Sequence, residues 1–272
     1  MSDNSTSFKR SSVDLLPQPF AWIPIPNGDV TLQAGGYLDK PTTFTISSFE
    51  IAKYPITNAQ FKIFMDAGGY DEKRWWTEAG WQSKLEGWIY EEDWRKTNKA
   101  WTKPRLWDDS QWNGADYPVI GVSWYESVAF CRWLREVTGE SIMLPTEQQW
   151  QRAAQGDDGR LYPWGNEWDK TKCNNNALGL GKTTPVTRFE GLGDSPYGVV
   201  DMNGNAWEWS STSHKTGKDD LNGTDTRVLR GGSYLLSKNM YCWIRSGYNP
   251  NNDGLNGFRC IRAIHEQKNK VD

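Results

Sequence analysis

The chain has 272 residues and a formal net charge of −3, enough for one large domain or two small ones and too little basic excess for a nucleic-acid footprint. Its apolar runs fall short of a membrane span, and the polar stretch Met1 to Asp14 has no signal-peptide apolar region, so an unexported, cytoplasmic protein is expected, surface display by another route aside. The 17 Trp and 26 Gly residues favour a loop-rich fold in which large aromatic side chains fill irregular gaps.

Residues 1–17 read as a flexible tail, 18–265 as a single domain and 266–272 as a second tail. The pattern from 15 to 56 is β. Phe20 to Pro26 is a strand interrupted by Pro24 and Pro26, which points to a sheet edge. Thr42–Ile46 and Phe49–Ala52 are β-branched and alternating. Thr57-Asn58-Ala59-Gln60 is a capping box; Phe61, Phe64 and Met65 follow at helical spacing, and Gly68-Gly69 ends that helix.

Residues 70–117 are an insertion dense in Trp: Trp75, Trp76, Trp81, Trp88, Trp94, Trp101, Trp107 and Trp112. These rings are expected to pin the excursion to the domain in preference to forming an aromatic-ligand surface. Ser123-Trp124-Tyr125-Glu126 is a second capping box. Its helix runs to Val137, turns Val128, Ala129, Cys131, Trp133 and Leu134 inward, and stops at Gly139. Thr146 caps a third helix, with Trp150 and Ala153 inward and Gly156 beyond its end. No helix is expected after Asp157; short strands are expected at 198–201, 206–210, 227–231 and 258–263.

The segment 227–262 has stiff ends, Arg227 to Tyr234 and Asn256 to Cys260. Between them lie about twenty residues rich in Tyr, Trp, Asn, Ser and Gly, a mixture suited to surface contact.

Seven stretches, in this order, resemble the formylglycine-generating enzyme, or sulfatase-modifying factor, family: Tyr54–Asn58, Pro118–Trp124, Leu144–Trp150, Tyr162–Gly165, Asp201–Trp209, Arg230–Ser233 and Gly257–Cys260. The resemblance covers almost the whole chain. It implies an α+β fold of the elaborated C-type lectin-like kind, low in regular secondary structure. One branch of the family oxidises a substrate cysteine with copper and needs two cysteines shortly after the Gly-Gly-Ser-aromatic motif, because paired thiolates suit Cu(I). Here Leu236 stands at the first of those positions and Cys242 alone remains. A second branch takes iron-binding histidines from an additional helical domain, whereas this chain has only His214 and His265.

A third branch, the variable proteins of diversity-generating retroelements, does no chemistry and displays a diversified segment between the same two motifs. The composition from Tyr234 to Gly257 resembles such a segment, although Lys238, Met240 and Trp243 do not follow simply from Asn codons. The expected function is therefore a non-catalytic bacterial ligand-binding protein. A protein or glycan would sit on Tyr234, Leu235, Leu236, Ser237, Asn239, Tyr241, Trp243, Arg245, Tyr248, Asn249 and Asn251. The alternative is a formylglycine-generating type of metal-dependent oxidoreductase using copper and Cys242.

The resemblance also implies Ca²⁺ on Asp201, Gly204, Ala206 and Glu208, hard oxygen donors around a tight turn. A further calcium loop at Asn174 and Asn175 meets Leu178 where a carboxylate is expected. Cys131 and Cys260 match a pair that is a disulfide in the eukaryotic enzyme and would stay as neighbouring thiols in a reducing compartment. Arg230 and Arg259 are expected to fix the loop ends on buried carboxylates or carbonyls, and Glu126 and Glu147 to act as helix-capping residues.

Overall fold

A computed structural model describes residues 9–87, 99–252 and 254–264. The expected N-terminal tail is shorter than 17 residues. Ser11 caps a one-turn helix, α1 (Ser12–Leu15), and Ser12 and Leu16 are buried. The Trp22 indole donates to the Ser12 hydroxyl at 2.8 Å. Leu15 and Leu16 give this stretch apolar surface to bury, which offsets the entropy of ordering it. Residues 1–8 and the expected C-terminal tail lie outside the described residues.

Four strands follow: β1 (Trp22–Ile25), β2 (Gly28–Leu32), β3 (Thr42–Ile46) and β4 (Phe49–Ala52). β2 and β3 form their own antiparallel pair. β1 lies at the edge of a four-stranded sheet, next to β4, where Pro24 removes no ladder bond from a second neighbour. The other members of that sheet are β5 (Ile142–Met143) and β10 (Ile261–Ala263).

The three expected helices form where their caps place them. α2 (Asn58–Asp66), α4 (Trp124–Thr138) and α5 (Glu147–Gln155) each begin with a complete capping box. Gly139 ends α4 at φ 79°, a left-handed conformation that suits glycine. α2 and α4 meet through Phe61 and Phe130, stacked at 5.6 Å, with Phe258 edge-on to both. Val128, Ala129, Cys131, Trp133 and Leu134 are all buried.

Inside the Trp-rich insertion the structure adds a helix, α3 (Glu78–Glu86), capped by Thr77. Its sequence, Glu-Ala-Gly-Trp-Gln-Ser-Lys-Leu-Glu, has no apolar stripe to announce it. Trp75, Trp76 and Trp101 are buried, and Trp81 and Trp107 pack against the same core. These rings anchor the insertion. Trp88 and Trp94 lie outside the described residues.

A second four-stranded sheet, ordered β8-β7-β6-β9, is built from β6 (Trp207–Ser213), β7 (Arg227–Arg230), β8 (Arg245–Tyr248) and β9 (Asn256–Phe258). Three details differ from the sequence reading. Residues 198–201 form no strand, because Asp201 turns the chain at φ 56°. β8 is an additional strand. The expected strand 258–263 splits in two: Phe258 pairs with β6, whereas Ile261 pairs with β4 and β5. Arg259 and Cys260 carry the chain from one sheet to the other. No helix among the described residues is long and apolar enough to cross a membrane.

Candidate functional site

The ends of the 227–262 segment are fixed by buried arginines. Arg259 is fully buried and grips both oxygens of Glu208 at 2.7 Å. The Trp150 indole adds a bond to Glu208 Oε2 at 2.8 Å. Arg230 donates to Gln151 Oε1 at 2.5 Å and to the carbonyls of Cys242 and Trp243 at 2.9 and 3.1 Å. Glu126 closes its capping box by accepting from the Ser123 amide at 2.7 Å. Glu147 has a different role from the one expected. Gln149 closes that box, while Glu147 lies buried between Arg230 and Arg245, 3.6 and 3.3 Å away.

Those anchors decide where the expected contact residues face. Leu235 and Tyr248 are 56% and 42% exposed; Ser237, Asn239 and Asn249 are also exposed, and Leu236, Tyr241, Trp243 and Asn251 are half-buried. Two residues leave the surface. Tyr234 is buried against Trp112, ring centroids 5.8 Å apart. Arg245 turns inward to the carbonyls of Gly35 and Gln33 at 2.6 and 3.1 Å; satisfying two carbonyls beside a carboxylate outweighs exposure for a fork-shaped cation.

Part of this surface comes from a loop that the sequence reading did not include. Tyr162 stacks on Trp164 at 5.3 Å and Tyr241 on Trp243 at 4.8 Å; Tyr162 and Tyr241 join the pairs at 5.4 Å. Trp168 flanks the assembly, and the Tyr162 hydroxyl donates to the Lys238 carbonyl at 2.7 Å. Tyr162 is buried and the other four rings are half-buried. Aromatic residues at 162, 164 and 168 in a Pro- and Gly-containing loop were the available signal.

The thiols are in the interior. Cys242 has no exposed surface and packs among Phe49, Ile51, Trp150 and Ile261. Burial pushes its thiol up to about 12, so at neutral pH it is protonated, a poor Cu(I) ligand. Cys131 and Cys260 face one another with sulfurs 3.6 Å apart, as the resemblance implies, and burial drives the Cys131 thiol well upward. Among the described residues no three His, Cys, Asp or Glu side chains gather in a metal-holding group.

The Asp201 turn is tight and polar. Asp201 and Asn205 are both left-handed, at φ 56° and 59°. A Cβ on Gly204 would come within 2.1 Å of the Asn174 carbonyl, so that position requires glycine. The Asn205 amide donates to Asp201 Oδ2 at 2.8 Å and to the Thr184 carbonyl at 3.1 Å. Asp201 Oδ1 is buried with no hydrogen-bond partner, and burial raises this carboxyl to about 7. For calcium the expected donors fit in part. Asp201 Oδ1 is open, and the resemblance adds the Gly204 and Ala206 carbonyls. Glu208, expected as a free ligand, is instead held by Arg259 and Trp150; only Oε1, which accepts one bond, keeps capacity.

The sulfatase-modifying factor enzyme 1-like domain matches residues 12–264. The chain is 31% identical over 207 residues to hercynine oxygenase of Mycobacterium tuberculosis, covering 70% of this chain and 46% of that one. It therefore spans about half the length of that relative. Identity to the formylglycine-generating enzyme of Bos taurus is 30% over 294 residues, covering 89% and 74% of the two chains. Among solved structures, Treponema denticola variable protein 1 superposes with a TM-score of 0.61 at 17% identity, over 89% of this chain and 95% of that one. The fold is the α+β, C-type lectin-like fold of these proteins.

Proposed function

The chain belongs to the sulfatase-modifying factor enzyme 1-like family, and from that premise we propose that it is a non-catalytic binder, presenting residues 235–251 to a protein or glycan ligand as a variable protein of a diversity-generating retroelement does. The observation that carries this reading is the position of Cys242. It is the single cysteine left in the region where the copper-dependent branch needs two, and it is fully buried with its thiol protonated. The same segment holds its ends rigidly and leaves Leu235, Ser237, Asn239, Tyr248 and Asn249 exposed, the arrangement of an adaptable surface on a fixed scaffold. The shared fold with a variable protein is consistent with it.

The enzymatic reading is supported by the two relatives of known activity, so the test addresses both. Incubated with copper, oxygen and a Cys-x-Pro-x-Arg peptide, the protein is expected to form no aldehyde detectable by mass spectrometry. Peptide oxidation that disappears in Cys242→Ser would overturn the proposal. On protein and glycan arrays a ligand is expected whose binding weakens about tenfold or more in Trp243→Ala, with a cooperative melting transition retained.

We also propose Ca²⁺ as a structural cation of the Asp201 turn, supported by the partnerless Oδ1. When bound it would hold a costly buried carboxylate in its ionised form. Calcium should raise the melting temperature, EGTA should reverse the rise, and Asp201→Asn should blunt it. A melt that calcium and EGTA leave unmoved refutes the assignment.

A further inference from the structure

α4 leads away from the C-terminal surface. Its N-terminal amide, on Trp124, donates to the Pro250 carbonyl at 3.0 Å, and its length carries its far end about 20 Å from there. At that far end lies a groove of about 380 Å³ lined by Arg74, Trp75, Arg132, Arg135, Glu136 and Gly139. Lys9 reaches the same place, its ammonium donating to the Glu136 carbonyl at 2.7 Å.

Lys9, Arg74, Arg132 and Arg135 thus gather at this groove with two carboxylates, and both are engaged: Glu72 Oε2 lies 3.5 Å from Arg74, and Glu136 has partners of its own. Glu136 Oε2 accepts from the Trp75 indole at 3.0 Å, and Oε1 lies 3.5 Å from Arg74. The next acid along the chain, Glu140, pairs with Arg262 at 2.9 Å. Arg132 donates to the Trp76 carbonyl at 2.8 Å. Burial lowers its pKa, with no opposing carboxylate contributing. Among the described residues neither Arg132 nor Arg135 has an ion-pair partner. The Arg74 guanidinium lies over the Trp75 ring, 5.0 Å from its centroid, which orients its fork.

Basic side chains in the last turn of a helix complement its dipole. That accounts for Arg135. It does not account for a partly desolvated Arg132 without a counter-charge, nor for the arrival of Lys9 and Arg74 from other parts of a chain whose net charge is −3. A guanidinium fork matches a tetrahedral oxyanion through paired hydrogen bonds. The excess of two positive charges over Glu136 and Glu72 suits a doubly charged anion better than a single carboxylate.

We propose that the groove formed by Arg74, Arg132 and Arg135 binds the phosphate group of a small soluble molecule. The probe is pyrophosphate, titrated calorimetrically into the full chain at low and moderate ionic strength. One saturable site is expected, weaker at higher salt. It should weaken about tenfold or more in Arg135→Ala and also in Arg132→Lys, which keeps the charge but loses the fork. Melting temperatures identify any variant that misfolds, and Arg135→Ala, at an exposed position, keeps the test decisive should Arg132→Lys do so. Flotation with phosphatidic acid vesicles is the second arm. Capture that both variants abolish, without pyrophosphate binding, would assign the phosphate to lipid and overturn the soluble source. No saturable binding in either arm, or equal binding by the wild type and Arg135→Ala, would overturn the site itself.

Discussion

Glu208 and Asp201 sit in the same short stretch and are both buried, yet their surroundings treat the two carboxylates in opposite ways. Glu208 has a two-pronged arginine and an indole for its two oxygens. Asp201 has one amide on one oxygen and is pushed toward its neutral form. Glu208→Gln would leave the fully buried Arg259 without its ion-pair partner. Removing one partner of such a pair costs about 3–5 kcal/mol, and urea denaturation should show a loss of that order. The sequence announces both residues as carboxylates in a Gly-Asn turn, but not that an arginine some fifty residues later would claim one of them. Tyr234 and Arg245 illustrate the same limit. Their side-chain chemistry suits a contact surface, and only the packing of Trp112 and of the 33–35 loop turns them inward.

At the level of elements, legibility followed local signals. Thr57, Ser123 and Thr146 mark helix starts because each cap is made within four residues, and all three helices form there. Helix α3 was hidden because its sequence lacks an apolar face, and β8 because Arg-Ser-Gly-Tyr carries little strand patterning. The cap of α4 deserves a measurement because its partner is itself buried: Glu126 accepts from the Ser123 amide and from the Tyr70 hydroxyl. Ser123→Ala removes the hydroxyl that holds the Glu126 amide at 3.2 Å. A loss of about 1–2 kcal/mol is expected in thermal or chemical unfolding. The contact surface was half legible for the same reason. Segment 234–251 is contiguous in sequence, whereas the 162–168 loop joins it only after folding.

For the whole molecule, composition was a sound guide. An excess of Trp and Gly pointed to irregular structure filled by rings, and Trp75, Trp76, Trp101, Trp124, Trp133, Trp150 and Trp209 are all buried. What composition cannot convey is the order in which the parts become available. β10 is an inner strand of the first sheet, paired on one side with β4 and on the other with β5, yet it is translated after every other strand of that sheet. At about 5–20 residues per second, a ribosome would take roughly ten to forty seconds to travel from β4 to β10. Throughout that interval β4 presents an unpaired edge, an invitation to the wrong neighbour. A chain stopped after Arg259 should therefore show no cooperative melting transition and should aggregate, whereas the full chain should melt cooperatively. Cells making this protein would have to shelter the nascent β4 edge until β10 emerges.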